Sequence, residues 1–283
     1  MAERQTWPAP AKLNLFLRVT GRREDGYHEL QTLFQLLDWG DELSIEIQPG
    51  GAIARSFGNA AIPEDEDLSV RAARRLQEAS GSRMGARIGV RKHIPLGAGL
   101  GGGSSDAATV LLVLNELWDC GFRREELARI GLGLGADVPV FVHGRSAWGD
   151  GIGERLQAVE LGRRHYVLVF PEQAVSTREV FSDPALRRDA SRQDPGAPGA
   201  LDAIGNDFEE VVFRRYPELA RLACELSAFG RPRLTGTGSC LFLESESAEA
   251  AAGVTSRLKS RYNVRAVRGA DRSPLLELLP QGT

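Results

Sequence analysis

Residues 95–108, PLGAGLGGGSSDAA, constrain this 283-residue chain more than any other stretch. Gly97, Gly99, Gly101, Gly102 and Gly103 fall within seven residues and hand over directly to Ser104, Ser105 and the apolar run DAATVLLVLNELW. Glycine reaches backbone conformations closed to other residues, and the residues that follow are good helix formers of helical length. The spacing therefore predicts a loop that runs straight into a helix N-terminus. Backbone N–H groups converge on an anion at such a junction, and phosphate is the natural guest. A flexible surface turn rarely needs five glycines against a long apolar helix.

Two familiar phosphate-binding patterns compete for this loop. The P-loop pattern, GxxxxGK followed by Ser or Thr, is met at Gly97, Gly102 and Ser104, but Gly103 stands where the lysine belongs. A dinucleotide fingerprint, GxGxxG, is met at Gly97, Gly99 and Gly102. Pro95 interrupts its strand-to-turn handover, and no acidic ribose partner follows a second strand. The favoured reading is a non-Walker phosphate cradle.

The remaining composition narrows the class. A net charge of −3 and a pI near 5.9 provide no basic field for nucleic acid or an anionic membrane. Cys120, Cys224 and Cys240 are far apart and unpaired by any CxxC spacing, which argues against a disulfide framework or a structural zinc. The N-terminus lacks a signal pattern, and no uninterrupted apolar stretch of about 18 residues occurs. The expectation is a cytoplasmic protein, a monomer or weak homodimer, with no membrane or nucleic-acid partner.

Along the chain, KLNLFLRV (residues 12–19) alternates, placing Leu13, Leu15, Leu17 and Val19 on one face and Lys12, Asn14, Phe16 and Arg18 on the other. Residues 24–31 are expected as a turn-rich connection, LSIEIQPGG and AIARSF as short strands, and LSVRAARRLQEAS as an amphipathic helix closed by Gly81. RIGVRK is a strand before the glycine loop, REELARIGLGLG a second helix, and ADVPVFVHG a short strand or helical turn. HYVLVF opens a new unit, which divides the chain into 1–154 and 155–283. Residues 183–200, polar and rich in Pro, Gly and Ala, are expected as a mobile surface loop or lid. One helix from Asp207 through ELSAFG, a strand at SCLFLE, a helix near AEAAAGVTSRLKS and a strand at NVRAV complete a small α/β unit.

The glycine segment resembles the loop of GHMP kinases, and GLGGGSSDAA matches the form used in the family's erythritol kinase branch. The opening PAPAKLNLFLRVTGRREDGYHELQTLFQLLDWGD is similar to the family's first motif, with Lys12, Asn14, Tyr27 and His28 at its functional positions. GADVPVF resembles the catalytic segment and sets Asp137 in the acid's place, while LTGTGSCLF, with Gly236, Gly238 and Ser239, resembles the third motif. The resemblance implies an α+β, two-domain GHMP kinase fold, with a mixed α/β N-terminal domain and a smaller α/β C-terminal one. It implies ATP held by Pro95, Leu96, Gly97, Ala98, Gly99, Leu100, Gly101, Gly102, Gly103, Ser104 and Ser105. It also implies a small-molecule cytidine diphosphate substrate at Asn14, Tyr27, His28, Thr177 and Phe181, with Lys12 and Asp137 catalytic.

Plainer readings stand beside these. A lone strand lysine is usually a solvated charge; Asp137, two residues before Pro139, suits a helix N-cap; Tyr27 and His28 could staple a turn, and Phe181 could be core. In phosphoryl transfer the protein mainly positions groups and neutralises charge. Asp137 would take or merely orient a hydroxyl proton beside Lys12, since a carboxylate near a cation is a weak base. Mg²⁺ is expected with ATP, with Ser105 or Asp106 as candidate contacts, but the sequence names no ligand set. A silent ligand sensor on the same fold and a dinucleotide-dependent oxidoreductase are the rival classes.

Overall fold

A computed structural model describes residues 5–197, 199–200 and 205–280. A long hairpin forms its spine. Strand β1 (Thr6–Arg22) pairs antiparallel with β2 (His28–Gln48), from Thr6 opposite Ser44 to Arg22 opposite His28. The turn is tighter than the expected connection: Arg23 N–H donates to Tyr27 O at 2.7 Å, and His28 already belongs to β2.

The regular alternation expected for β1 fails at a register shift between Asn14 and Phe16. Such a bulge changes which face the following side chains meet. Phe16 packs with Leu13 and Leu15, against Trp148, while Leu17 and Val19 join a different cluster with Val167 and Phe208. Both faces of the strand are therefore buried, and the polar pair Lys12 and Asn14 is buried with it.

Strands β3 (Ile53–Phe57) and β4 (Gly85–Arg91) extend the sheet beyond β2, on the far side from β11 (Asn263–Ala270). Strands β7 (His165–Phe170), β10 (Leu241–Ser245) and β9 (Arg233–Leu234) follow β11 in order. The hairpin β5 (Ala147–Gly151) and β6 (Arg155–Ala158) pairs with β2 and spans residue 154; β8 (Gly205–Asn206) lies parallel to β1. Among the described residues, backbone pairing is thus continuous through eleven strands.

Helices α1 (Leu68–Ser80), α2 (Gly102–Leu117), α3 (Arg124–Leu132) and α4 (Val138–His143) share one apolar cluster with β1, β2 and β4. Asp67 caps α1 by accepting from Ser69 N–H, and Gly81 ends it at φ 67°. Later come α5 (Thr177–Ser182), α6 (Glu209–Arg215), α7 (Pro217–Leu226) and α8 (Ala248–Leu258). The single helix expected after Asp207 is two, because Pro217 cannot continue the preceding turn and Tyr216 leaves helical geometry at ψ 79°. Helix α9 (Leu275–Leu278) returns to the first half, where Leu275, Leu276 and Leu279 complete the cluster around α2 and α4.

The 183–200 stretch is not a loose lid over its described residues; residue 198 lies outside them. Leu186 and Ala190 are buried, Ala190 N–H donates to Val19 O at 3.1 Å, and Gln193 N–H donates to Gln31 Oε1 at 2.7 Å. A few anchoring side chains outweigh the composition.

Candidate active site

Lys12 is only 3% exposed, so its ammonium requires partners. Nζ donates to Asn14 Oδ1 at 2.6 Å and Gly99 O at 3.0 Å, and stands 3.3 Å from Asp137 Oδ2. Three acceptors match its three N–H bonds. Asn14 is spent on this arrangement: its Nδ2 donates to Thr32 Oγ1 at 2.8 Å, and Thr32 donates on to Phe16 O. Asp137 occupies the N-cap position of α4 but makes no capping hydrogen bond. Its side chain is 35% exposed and opens on the cleft.

The glycine loop turns its carbonyls toward the protein. Gly97 O accepts from Ser239 N–H, Ala98 O from Cys240 N–H, Gly99 O from Lys12 and Thr235 Oγ1, and Leu100 O from Lys12 N–H. Gly97, Gly99 and Gly101 have φ values of 68°, 74° and 72°, the left-handed region that glycine tolerates. Among the described residues no protein acceptor meets their N–H groups. With the first-turn donors of α2, they offer a ring of amides to an anion. Ala98 and Leu100 contribute backbone only, since their side chains are buried; Pro95 and Leu96 are exposed. Ser104 lines the cleft, as do Gly99 and Gly101. Ser105 is fully buried, its hydroxyl sealed from solvent, and Asp106 faces away toward Lys92, so neither side chain reaches the cleft.

An ionic cluster underlies the loop. Lys92 Nζ bonds Asp41 Oδ2 and, at 2.7 Å, Asp106 Oδ2, while Asp41 Oδ1 accepts from the His93 and Ile94 N–H groups. Burial pushes the Asp106 carboxyl up to about 7, against the pull of Lys92 and helped by Asp41. Burial works against the Lys92 ammonium too, yet Asp106 and Asp41 outweigh it and hold Lys92 above the ordinary lysine value. The folded-state value of Asp106 lies above its ordinary 3.8, so its contribution to stability is complete at low pH and is lost as pH rises through about 7. Asp106→Asn removes this titration, so its stability relative to the parent is expected to rise from pH 4 to pH 8, as read by urea unfolding at both.

Two clefts meet at this centre. One, of about 280 Å³, is lined by Lys12, Asn14, Asp137, Ser104, Thr177 and Phe181 among others. The second, of about 800 Å³, holds Tyr27, His28, Arg178 and Ser182, and shares Leu30, Ala136, Ile152 and Phe181 with the first. Thr177 Oγ1 and Thr237 Oγ1 are 2.9 Å apart, joining α5 to the third glycine motif. Phe181 stands between His28, at a ring separation of 5.1 Å, and Phe208, at 4.7 Å edge-on. Tyr27 is 59% exposed on the turn. A third groove, of about 310 Å³, flanks the loop between Asn59, Lys92, His93, Pro95 and Leu96.

The structure thus gathers Lys12, Asn14, Asp137, Thr177 and Phe181 on one cleft and sets Tyr27 and His28 on its neighbour. Sequence reasoning missed Thr32, Thr235, Thr237, Phe208 and the Lys92 cluster. Thr235 and Thr237 flank Gly236 inside the LTGTGSCLF motif, so their signal was present. The others meet only through the fold.

Comparisons with known proteins show the family. Residues 67–145 match the family model of the GHMP kinases N terminal domain, and residues 184–264 that of the GHMP kinases C terminal domain. A 4-diphosphocytidyl-2-C-methyl-D-erythritol kinase of Xanthomonas euvesicatoria pv. vesicatoria is 48% identical over 275 residues, covering 96% of this chain and 93% of the relative. One of Pseudomonas aeruginosa (strain LESB58) is 52% identical, over 86% of each chain. The crystal structure of a 4-(cytidine 5'-diphospho)-2C-methyl-D-erythritol kinase superposes with a TM-score of 0.82 at 36% identity, covering 94% of this chain and all of its own. The mevalonate kinase of Methanococcus jannaschii, at 13% identity over 95% of this chain and 99% of its own, shares the fold with a TM-score of 0.66. The chain belongs to the GHMP kinase family, in the branch of the 4-diphosphocytidyl-2-C-methyl-D-erythritol kinases.

Proposed function

We propose that the chain transfers a phosphoryl group from ATP to the 2-hydroxyl of 4-diphosphocytidyl-2-C-methyl-D-erythritol, in the non-mevalonate route to isoprenoid precursors. The observation that carries this reading is the Lys12–Asp137 contact of 3.3 Å, set where an amide-lined loop meets two joined clefts.

The loop's amides and the α2 N-terminus suit the phosphates, and the groove beside Leu96 suits the nucleotide's base. ATP supplies the transferred group. Asp137 receives a hydrogen bond from the acceptor hydroxyl and takes its proton as the new bond forms. Lys12, held by Asn14 and Gly99, keeps a fixed positive charge beside the transferred group, where negative charge must be stabilised. Preorganised charge of this kind costs no rearrangement at the moment of transfer. Among the described residues no group of three or more acidic, His or Cys side chains gathers as a metal site. Mg²⁺ would neutralise charge on the nucleotide phosphates, and the Ser104 hydroxyl lines the cleft where they would lie. The cytidine end would lie between Tyr27, His28 and Phe181, where aromatic faces suit a pyrimidine.

Among the described residues no helix is long and apolar enough to cross a membrane. A cytoplasmic enzyme, acting as a monomer or weak homodimer and in two functional halves divided near residue 154, completes the proposal. The test is ADP release by the purified chain with ATP and Mg²⁺, offered the cytidine substrate, homoserine or mevalonate. Turnover with the cytidine substrate alone is expected. Turnover only on another alcohol overturns the substrate, and none on any favours a ligand sensor.

A further inference from the structure

Arg188, in the segment 183–200, sets its guanidinium against the His28 ring of the second cleft. Arg188 Nε donates to His28 Nε2 at 3.0 Å. The same guanidinium donates through Nη1 to Leu186 O at 2.9 Å, and through Nη2 to Phe181 O at 3.1 Å and Asp183 O at 2.8 Å. A guanidinium stays protonated in proteins, so its Nε–H is always the donor. His28 Nε2 must therefore present its lone pair, and the imidazole proton resides on Nδ1. Nδ1 is neither sealed in the interior nor met by a protein acceptor among the described residues.

We propose that Arg188 is a positioning residue for substrate recognition, which fixes His28 as the neutral Nδ1–H tautomer and ties it to Phe181. The cleft then offers one fixed donor, beside an aromatic face, to the acceptor edge of a pyrimidine base. This rests on the reading of the Tyr27–His28 cleft as the cytidine end. The surrounding charges favour the same state. Arg22 lies opposite His28 in the β1–β2 ladder, Arg178 lines the cleft from α5, Arg188 touches the ring, and Asp25 is the cleft's carboxylate. Burial, then Arg188, then Arg22 hold His28 below the ordinary histidine value, so it carries one proton at neutral pH.

The experiment is nitrogen-15 NMR of histidine-labelled protein together with steady-state kinetics. Wild-type His28 is expected to show the Nδ1–H pattern in the free protein. In Arg188→Met the ring is expected to shift to Nε2–H, and KM for the cytidine substrate to rise about tenfold, the worth of one hydrogen bond, with KM for ATP holding. Arg188→Lys, which keeps a donor but loses the carbonyl clamp, is expected in between. In wild type the substrate KM stays flat as pH falls toward 6.5, the ordinary histidine value. An Nε2–H pattern in wild type overturns the proposal, as does an unchanged substrate KM in Arg188→Met. Should that variant not fold, the wild-type spectrum and Arg188→Lys still decide. Absence of wild-type turnover on the cytidine substrate sinks the functional reading and the recognition half of this proposal, whereas the spectrum alone decides the tautomer.

Discussion

Asp137→Asn is expected to lower kcat by roughly 10²- to 10⁴-fold, the usual worth of a positioned proton acceptor, while KM for either substrate moves only a few-fold. The side chain is well placed for so clean a loss. It caps nothing, its contact with Lys12 is the long member of that lysine's three partners, and it is partly exposed, so the amide disturbs little packing. Lys12 keeps Asn14 and Gly99, which leaves its charge satisfied in the variant. A raised KM with kcat intact would instead assign Asp137 to binding alone.

Gly99→Ala is expected to destabilise the chain by about 3 kcal/mol and to weaken nucleotide binding sharply. A Cβ at Gly99 would lie 2.2 Å from Thr235 O and 3.1 Å from Gly238 O, both main-chain atoms that cannot rotate aside. The residue also sits at φ 74°, which costs any L side chain. The loop would have to lift from the third glycine motif, breaking the bonds of Gly97 O and Ala98 O to Ser239 and Cys240. Gly97→Ala provides the comparison: φ is 68° but a Cβ there meets open space, so only the conformational cost of about 1–2 kcal/mol is expected. Equal melting points for the two variants would contradict this account.

Legibility in the sequence followed the distance over which each feature is determined. The cradle was readable because five glycines and a helix start act within seven residues. Lys12 and Asp137 were recognisable through the motifs around them, although only the fold sets them 3.3 Å apart. Alternation in KLNLFLRV predicted a strand correctly but misassigned Phe16, because a bulge depends on the partner strand and leaves no mark in composition. The 183–200 stretch reads as loose by its Pro, Gly and Ala content. What holds it, with Ala190 on Val19 and Gln193 on Gln31, is Arg188 on a ring 160 positions away, tertiary contacts that no local pattern encodes. The Lys92 cluster escaped for the same reason, drawing Asp41 and Asp106 from either side of the loop.

The last strand and helix also bear on how the molecule is made. β11 inserts beside β2 through Gly269 opposite Leu37 and Ala270 opposite Leu36, and α9 with the residue after it supplies Leu275, Leu276 and Leu279 to the interior built by the first half. Folding during synthesis normally closes one unit before the next emerges. Here the half that carries the glycine loop lacks part of its interior until residue 279 has been made. A nascent chain stalled short of that point would leave the first half's apolar cluster without Leu275, Leu276 and Leu279.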